Sequence, residues 1–311
     1  MLKRIRLNEL RVGMFINEVE NGARHQSGEF NPFLISSPSE IDRLMKSNVM
    51  TIVIDLRKGL DAVSASQSVD RVQFDAQLLT TFSAKEIEEA KHCIEEVKPH
   101  IRKVLAEARL HGAFAAAAAN TAVETIMSAA MENAGALIGI AKLKEWHEVT
   151  FLHSLAVSAL MIKFGRNLGL SEDEVRVLGV GGLVHDLGKM ALPRSILTKP
   201  GKLTVEEMDI VRMHPHYGHR LVSQIEVTPK QVLAICLYHH EKFDGSGYPY
   251  GLMGEQIPRV ARLAAICDVY DALTTIRSYK RAWSRDEATN AMLSSPGHFD
   301  PTLLATFVSQ F

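Results

Sequence analysis

Val184-His185-Asp186-Leu187-Gly188-Lys189 sets an imidazole and a carboxylate on adjacent backbone positions, with an ammonium shortly after them. A carboxylate has two oxygens and can bridge two cations, so this pair is the core that a two-metal hydrolytic site needs. Further along stand His239-His240-Glu241 and the loop Asp244-Gly245-Ser246-Gly247-Tyr248-Pro249.

Eight of the 13 histidines fall between His147 and His240, more than a core needs. This clustering is the first sign of metal. The candidate ligands are His153, His185, Asp186, His214, His239, His240 and Asp268. They come from helical stretches tens of residues apart, the way a site in a bundle core is built from facing helices. Some have plainer readings. Taken alone, His153 on the apolar stretch from Phe151 fits a hydrogen-bonded core histidine better than a ligand. His214, just before Pro215, fits an exposed helix end as well as a ligand. Successive helical residues point about 100° apart. His239 and His240 can therefore serve together only if metals lie between those directions, which favours a binuclear centre. Asp268 and Asp271 share a helix face, with Asp268 expected as ligand and Asp271 as a supporting group.

Outward from this region the patterns are helical. Ser171 with Glu174 opens a helix expected to run to Lys189; Thr204 with Glu207 opens another towards His214; others span about Pro229 to His240 and Pro258 to Thr275, and Ser284 to Leu293 and Pro301 to Phe311 close the chain. Earlier, Ser83-Ala84-Lys85-Glu86 is a capping box ahead of an amphipathic pattern through Arg109, in which Pro99 should kink or split the helix and Gly112 close it. An alanine-rich helix follows to about Lys144, read as connecting or dimer-forming from its apolar recurrence at Val123, Ile126, Met127 and Ala130. The first part is different, with short apolar runs at Met14-Phe15-Ile16 and Met50 to Ile54, a helix start at Ser39, and a Ser- and Ala-rich linker from Gly59. The expected organisation is multi-domain: a small α+β domain with its linker over 1–70, connecting helices over 82–145, and an all-α bundle over 146–311.

Composition sets the bounds. With 35 Lys and Arg against 36 Asp and Glu, the net charge of -1 gives no broad basic field for a DNA or RNA duplex or an anionic membrane. Cys93, Cys236 and Cys267 stand far apart and form no CxxC pair, which suits a reducing cytosol. No apolar run approaches the roughly 18 residues of a membrane span, and a cytoplasmic protein is expected.

Together His185-Asp186 with Lys189, His214-Pro215, His239-His240-Glu241, Asp244 to Pro249, Ile257-Pro258 and Asp268-Val269-Tyr270-Asp271-Ala272-Leu273 resemble the motif set of the HD-GYP family. These are bacterial phosphodiesterases of the HD hydrolase group that open cyclic dinucleotides, chiefly cyclic di-GMP. The resemblance covers about Phe151 to the C-terminus, and the first part is similar to a small accessory domain often found ahead of this one. It implies an HD-type bundle and an enzyme with two divalent metal ions, iron by analogy with manganese as a substitute. His153, His185, Asp186 and Asp268 would hold one, and His214, His239 and His240 the other, with Asp186 bridging. Val149 stands where some relatives carry a glutamate for a third metal.

The substrate would be a cyclic dinucleotide, opened to linear pGpG and onward to GMP. The alternatives are the mixed cyclic GMP-AMP dinucleotide or a non-catalytic dinucleotide receptor. Lys189, expected one helical turn after His185, would approach phosphoryl oxygens; the plainer alternative is a favourable charge on the helix dipole. Gly245 and Gly247 allow close backbone approach and present Tyr248 as hydrogen-bond donor or stacking surface. Arg277 and Lys280 correspond to phosphate contacts, though on their own they read as solvated charges. Asp244 is assigned a supporting role beside Asp271. A homodimer through the 82–145 helices, or a regulatory protein partner, completes the expectations.

Overall fold

The structure, a computed structural model, describes residues 2–6, 10, 12–21, 31–45, 49–60, 80–141, 149–197, 199, 202–226, 228–275 and 283–310. The chain divides into two compact units, Met1–Phe74 and Asp75–Phe311.

The first unit is a four-stranded antiparallel sheet of β1 (Leu2–Arg6), β2 (Phe15–Asn21), β3 (Phe33–Leu34) and β4 (Val49–Asp55), in the order β1-β4-β2-β3. Helix α1 (Pro38–Met45) lies between β3 and β4 in the chain. It begins before the expected Ser39 because the Glu40 carboxylate accepts from the Ser36 and Ser37 amides. Alternate residues of β2 and β4 point inward, so Ile16, Ile52 and Ile54 join Ile5, Met14 and Ile35 in one buried cluster. Strand β1 was missed by the sequence reading, since its lysine and arginines mask the alternation.

The second unit is helical, as its patterns predict. Ser83 and Glu86 form the reciprocal box that starts α2 (Ala84–His111), and Gly112 ends it in the left-handed conformation. Pro99 does not split α2, which runs on as one helix. Pro99 is exposed, so the carbonyl deprived of its partner faces water. Cys93, Ile94, Val97 and Ile101 meanwhile stay buried on the packed face. Helix α3 (Ala116–Ala141) holds a break that the alanine run conceals. Asn133 leaves the helical region, its side chain caps the Ala136 amide at 2.9 Å, and its amide donates to Glu86 at 2.5 Å.

Helices α2 and α3 share a single buried cluster with α4 (Val149–Asn167) and α5 (Glu172–Val184). Val123, Ile126 and Met127, which the sequence offers as a connecting or dimer-forming face, are covered by the chain's own helices. Each such side chain contributes about 1.5–3 kcal/mol of burial.

Helix α5 stops at Val184 and does not continue to Lys189; Leu187–Ala191 is wound as a 3-10 helix. Three residues per turn eclipse i and i+3, which aligns Lys189 with Asp186 and not with His185. The chain continues through α6 (Arg194–Leu197), α7 (Val205–Val211), α8 (His214–Val222), α9 (Lys230–Tyr238), α10 (Arg259–Thr274), α11 (Arg285–Leu293) and α12 (Pro301–Gln310). His214 opens α8, with Pro215 in its first turn, and does not close α7. No helix among the described residues is long and apolar enough to cross a membrane.

Candidate metal centre

Three helix boundaries converge on Asp186. His185 and Asp186 follow the end of α5, His214 begins α8, and His239 and His240 follow α9, while His153 and Asp268 project from within α4 and α10. Ligand atoms of Asp186, His214, His239 and His240 lie within 4.8 Å of one another, as do those of His153, His185 and Asp186. Asp186 belongs to both groups. Its Oδ1 is 3.2 Å from His214 Nε2 and 3.7 Å from His239 Nε2, while its Oδ2 is 3.5 Å from His185 Nε2 and 3.6 Å from His153 Nε2. Asp268 Oδ1 faces the second group, 3.2 Å from His153 Nε2 and 3.8 Å from His185 Nε2.

Backbone carbonyls fix the tautomers. His185 Nδ1 donates to Gly182 O at 2.8 Å, His214 Nδ1 to Val211 O at 2.7 Å, and His239 Nδ1 to Ile235 O at 3.0 Å. A carbonyl only accepts, so each Nδ1 carries a proton and it is each Nε2 that is turned inward, where the neutral ring offers its lone pair. His214 Nε2 and His239 Nε2 are then 3.3 Å apart as two acceptors. His185 Nε2 and Asp186 Oδ1 are buried without a hydrogen-bond partner. Inward lone pairs, orphaned acceptors and outer nitrogens held by carbonyls are what metal-ligating histidines require. The donor set is nitrogen and oxygen, which fits a divalent cation. The three free cysteines are buried, and burial pushes the Cys236 thiol up to about 12, so it supplies no thiolate.

Charge points the same way. Burial drives His185 down to about 4, leaving it neutral. Burial also opposes charge on His153, yet Asp186, Asp268 and Asp271 together carry it up to about 10. Burial works against the charge on Asp186, but the Lys189 ammonium above all holds its carboxyl well below the usual carboxylate range. The Lys189 ammonium contacts Asp186 Oδ2 directly.

Asp271 is fully buried; its Oδ2 lies 2.7 Å from His153 Nδ1 and its Oδ1 accepts from the Thr275 hydroxyl at 3.1 Å. It orients His153 from behind. Asp244 accepts from the Ser246 amide at 2.9 Å and so shapes the glycine loop. Tyr248 stacks on His240 with ring centroids 4.8 Å apart, and the Arg212 guanidinium lies over its ring at 5.8 Å. Burial pushes the Tyr248 phenol up, so it remains a hydrogen-bond donor. Arg277 and Lys280 lie outside the described residues.

One support escaped the sequence reading, Glu241, while Gly247 makes the close approach its sequence suggests. Glu241 is buried, and its carboxylate accepts from the Tyr250 amide at 2.7 Å and the Leu252 amide at 3.1 Å, tying the glycine loop to the histidine pair. Gly247 can approach closely because a Cβ there would stand 2.3 Å from Lys242 N and 2.5 Å from Glu241 Cα. A buried acid next to two candidate ligands is the signal that could have found Glu241. Glu241→Ala is expected to cost about 1–3 kcal/mol by leaving those amides unpaired; urea denaturation measures it, and a change below about 0.5 kcal/mol would reject the anchoring role.

Fold and site together define a helical hydrolase-type domain whose core gathers histidines and aspartates around a place for divalent cations. The chain belongs to the HD domain family, whose model matches residues 91–303. A domain of unknown function, DUF3391, matches residues 2–119. A cyclic di-GMP phosphodiesterase of Pseudomonas aeruginosa is 40% identical over 317 residues, covering 99% of this chain and 76% of the relative. A 3'3'-cGAMP-specific phosphodiesterase of Vibrio cholerae is 39% identical over 157 residues, covering 50% of this chain and 30% of the relative. Among solved structures, an HDG"Y"P protein from Bdellovibrio bacteriovorus has a TM-score of 0.59 at 17% identity, with 99% of both chains covered, a likeness of fold.

Proposed function

We propose that this chain is a metal-dependent phosphodiesterase that opens cyclic di-GMP to linear pGpG, with GMP as a further product. The observation that carries the reading is Asp186, whose two oxygens face two separate histidine groups. The relative covered over 76% of its length supports the substrate.

His153, His185, Asp186 and Asp268 would hold one divalent cation and His214, His239 and His240 the second, with Asp186 shared; iron is the first choice and manganese the substitute. Bound there, such ions supply Lewis acidity, a water activated at neutral pH and positive charge for a phosphodiester. The rest follows from side chains. The carbonyl-held histidines are preorganised, so their orientation costs nothing when substrate arrives. Lys189 pairs with Asp186 and has its stem partly exposed, so its ammonium can turn to a phosphoryl oxygen as charge develops. Tyr248, kept protonated by burial, donates to the phosphate; with both Arg212 and His240 on its ring, hydrogen bonding is favoured over base stacking. Arg277 and Lys280 are assigned to phosphate contact. A small accessory domain ahead of the helical bundle, a second chain or regulatory protein partner, and a cytoplasmic setting belong to the same proposal.

The test is hydrolysis of cyclic di-GMP, and separately of 3'3'-cGAMP, by protein purified without oxygen and loaded with iron or manganese, with metal counted on the same sample. Turnover of cyclic di-GMP with about two metals per chain is expected. Preference for cGAMP would move the assignment to the mixed dinucleotide, and binding without turnover under every metal condition would leave a receptor.

A further inference from the structure

Arg109, in the last turn of α2, reaches a segment 81 residues later in the chain. Its Nη1 donates to Met190 O at 2.6 Å and to Leu192 O at 2.9 Å. These carbonyls lie at the end of the 3-10 segment Leu187–Ala191, where the internal bonds are spent: Lys189 N donates to Asp186 O at 2.9 Å and Leu192 N to Lys189 O at 3.1 Å. Terminal carbonyls of a helix need an outside donor, and one guanidinium nitrogen with two hydrogens can serve both. The same segment is held at Gly188, where the backbone of α8 comes so close that a Cβ would lie 1.9 Å from His214 O. Lys189 stands between these two fixed points, with its ammonium on Asp186.

We infer that Arg109 is a positioning residue for the reaction: by clamping the Met190 and Leu192 carbonyls it fixes the 3-10 segment and so the place of Lys189 on Asp186. It acts through that segment and touches no candidate ligand. Helix α2 thereby becomes part of the active-site support, and a shift of its C-terminal turn is felt at Lys189. The activity arm of the test rests on the phosphodiesterase reading; the hydrogen-exchange arm does not.

Full-length wild type, Arg109→Ala, Arg109→Lys and Gln224→Ala are compared. Gln224 Nε2 donates to Gly112 O at 3.1 Å, so it ties the same end of α2 without touching the 3-10 segment. In Arg109→Ala the Lys189 and Leu192 amides should exchange about tenfold faster, and kcat should fall about tenfold with KM within about twofold. Arg109→Lys, with donors but no planar fork, should recover part of both, and Gln224→Ala should stay near wild type. Unchanged exchange at these amides, an equal effect in Gln224→Ala, or a lower melting temperature in Arg109→Ala with exchange at these amides and kcat intact would each overturn the inference. If wild type fails to hydrolyse either dinucleotide, the functional reading falls while the exchange result still decides the clamp.

Discussion

Asp186→Ala is expected to lower kcat by about 10³-fold or more and to lose bound metal with it. Among the described residues it is the one shared by the two ligand groups, so its removal strips a donor from both together. It also frees the Lys189 ammonium from its carboxylate partner. A fall of 10³ corresponds to about 4 kcal/mol of transition-state stabilisation. Asp186→Asn separates charge from shape: it keeps one acceptor oxygen and the volume, and should retain a fraction of the metal while kcat stays low. Metal counting, steady-state hydrolysis and a thermal melt of the same samples are the measurements. Turnover within about tenfold of wild type, with a folded protein and two metals, would remove Asp186 from the centre of the chemistry.

Gly188→Ala should be the most damaging change outside the ligands. A Cβ there would stand 1.9 Å from His214 O and 2.4 Å from Gly218 N. Both are backbone atoms, so no side-chain rotation relieves the clash and either the 3-10 segment or α8 must move. The expected cost is about 3 kcal/mol or more, read by urea denaturation. Because the displaced elements carry Asp186 and His214, metal affinity should fall too. Gly112→Ala is the control: its Cβ would meet nothing within 4 Å, while its φ of 57° imposes strain alone. About 1–2 kcal/mol with normal metal content is expected there. Equal costs for the two variants would mean that close approach at Gly188 is not what holds the site.

Legibility differed by the range of the interaction. Ser83, Ser171, Thr204 and Ser284 each form the reciprocal box their sequences announce, since a capping box is completed within four residues. The alternation Met14-Phe15-Ile16 leading into β2 and the buried run of β4 could be read for the same reason. Pro99 misled because its effect depends on which side of α2 faces water. Strand β1 and the break at Asn133 carry no distinctive pattern, and they take their form from β4 and from Glu86.

By itself the sequence determined the residue types of the site, the helices that carry most of them, the motif order that marks the HD domain family, and an α+β unit ahead of a helical one. Tertiary structure alone decided the rest. It decided that α2 and α3 belong to the bundle core, that α5 gives way to a 3-10 turn placing Lys189 on Asp186, and that Glu241 and Arg109 hold the site from outside. It also turned the Nε2 lone pairs inward, by setting Gly182, Val211 and Ile235 carbonyls behind the rings. The physical reason is distance along the chain. Caps and periodicity are fixed by neighbours a turn away, whereas ligand convergence depends on how helices separated by tens of residues pack around one core.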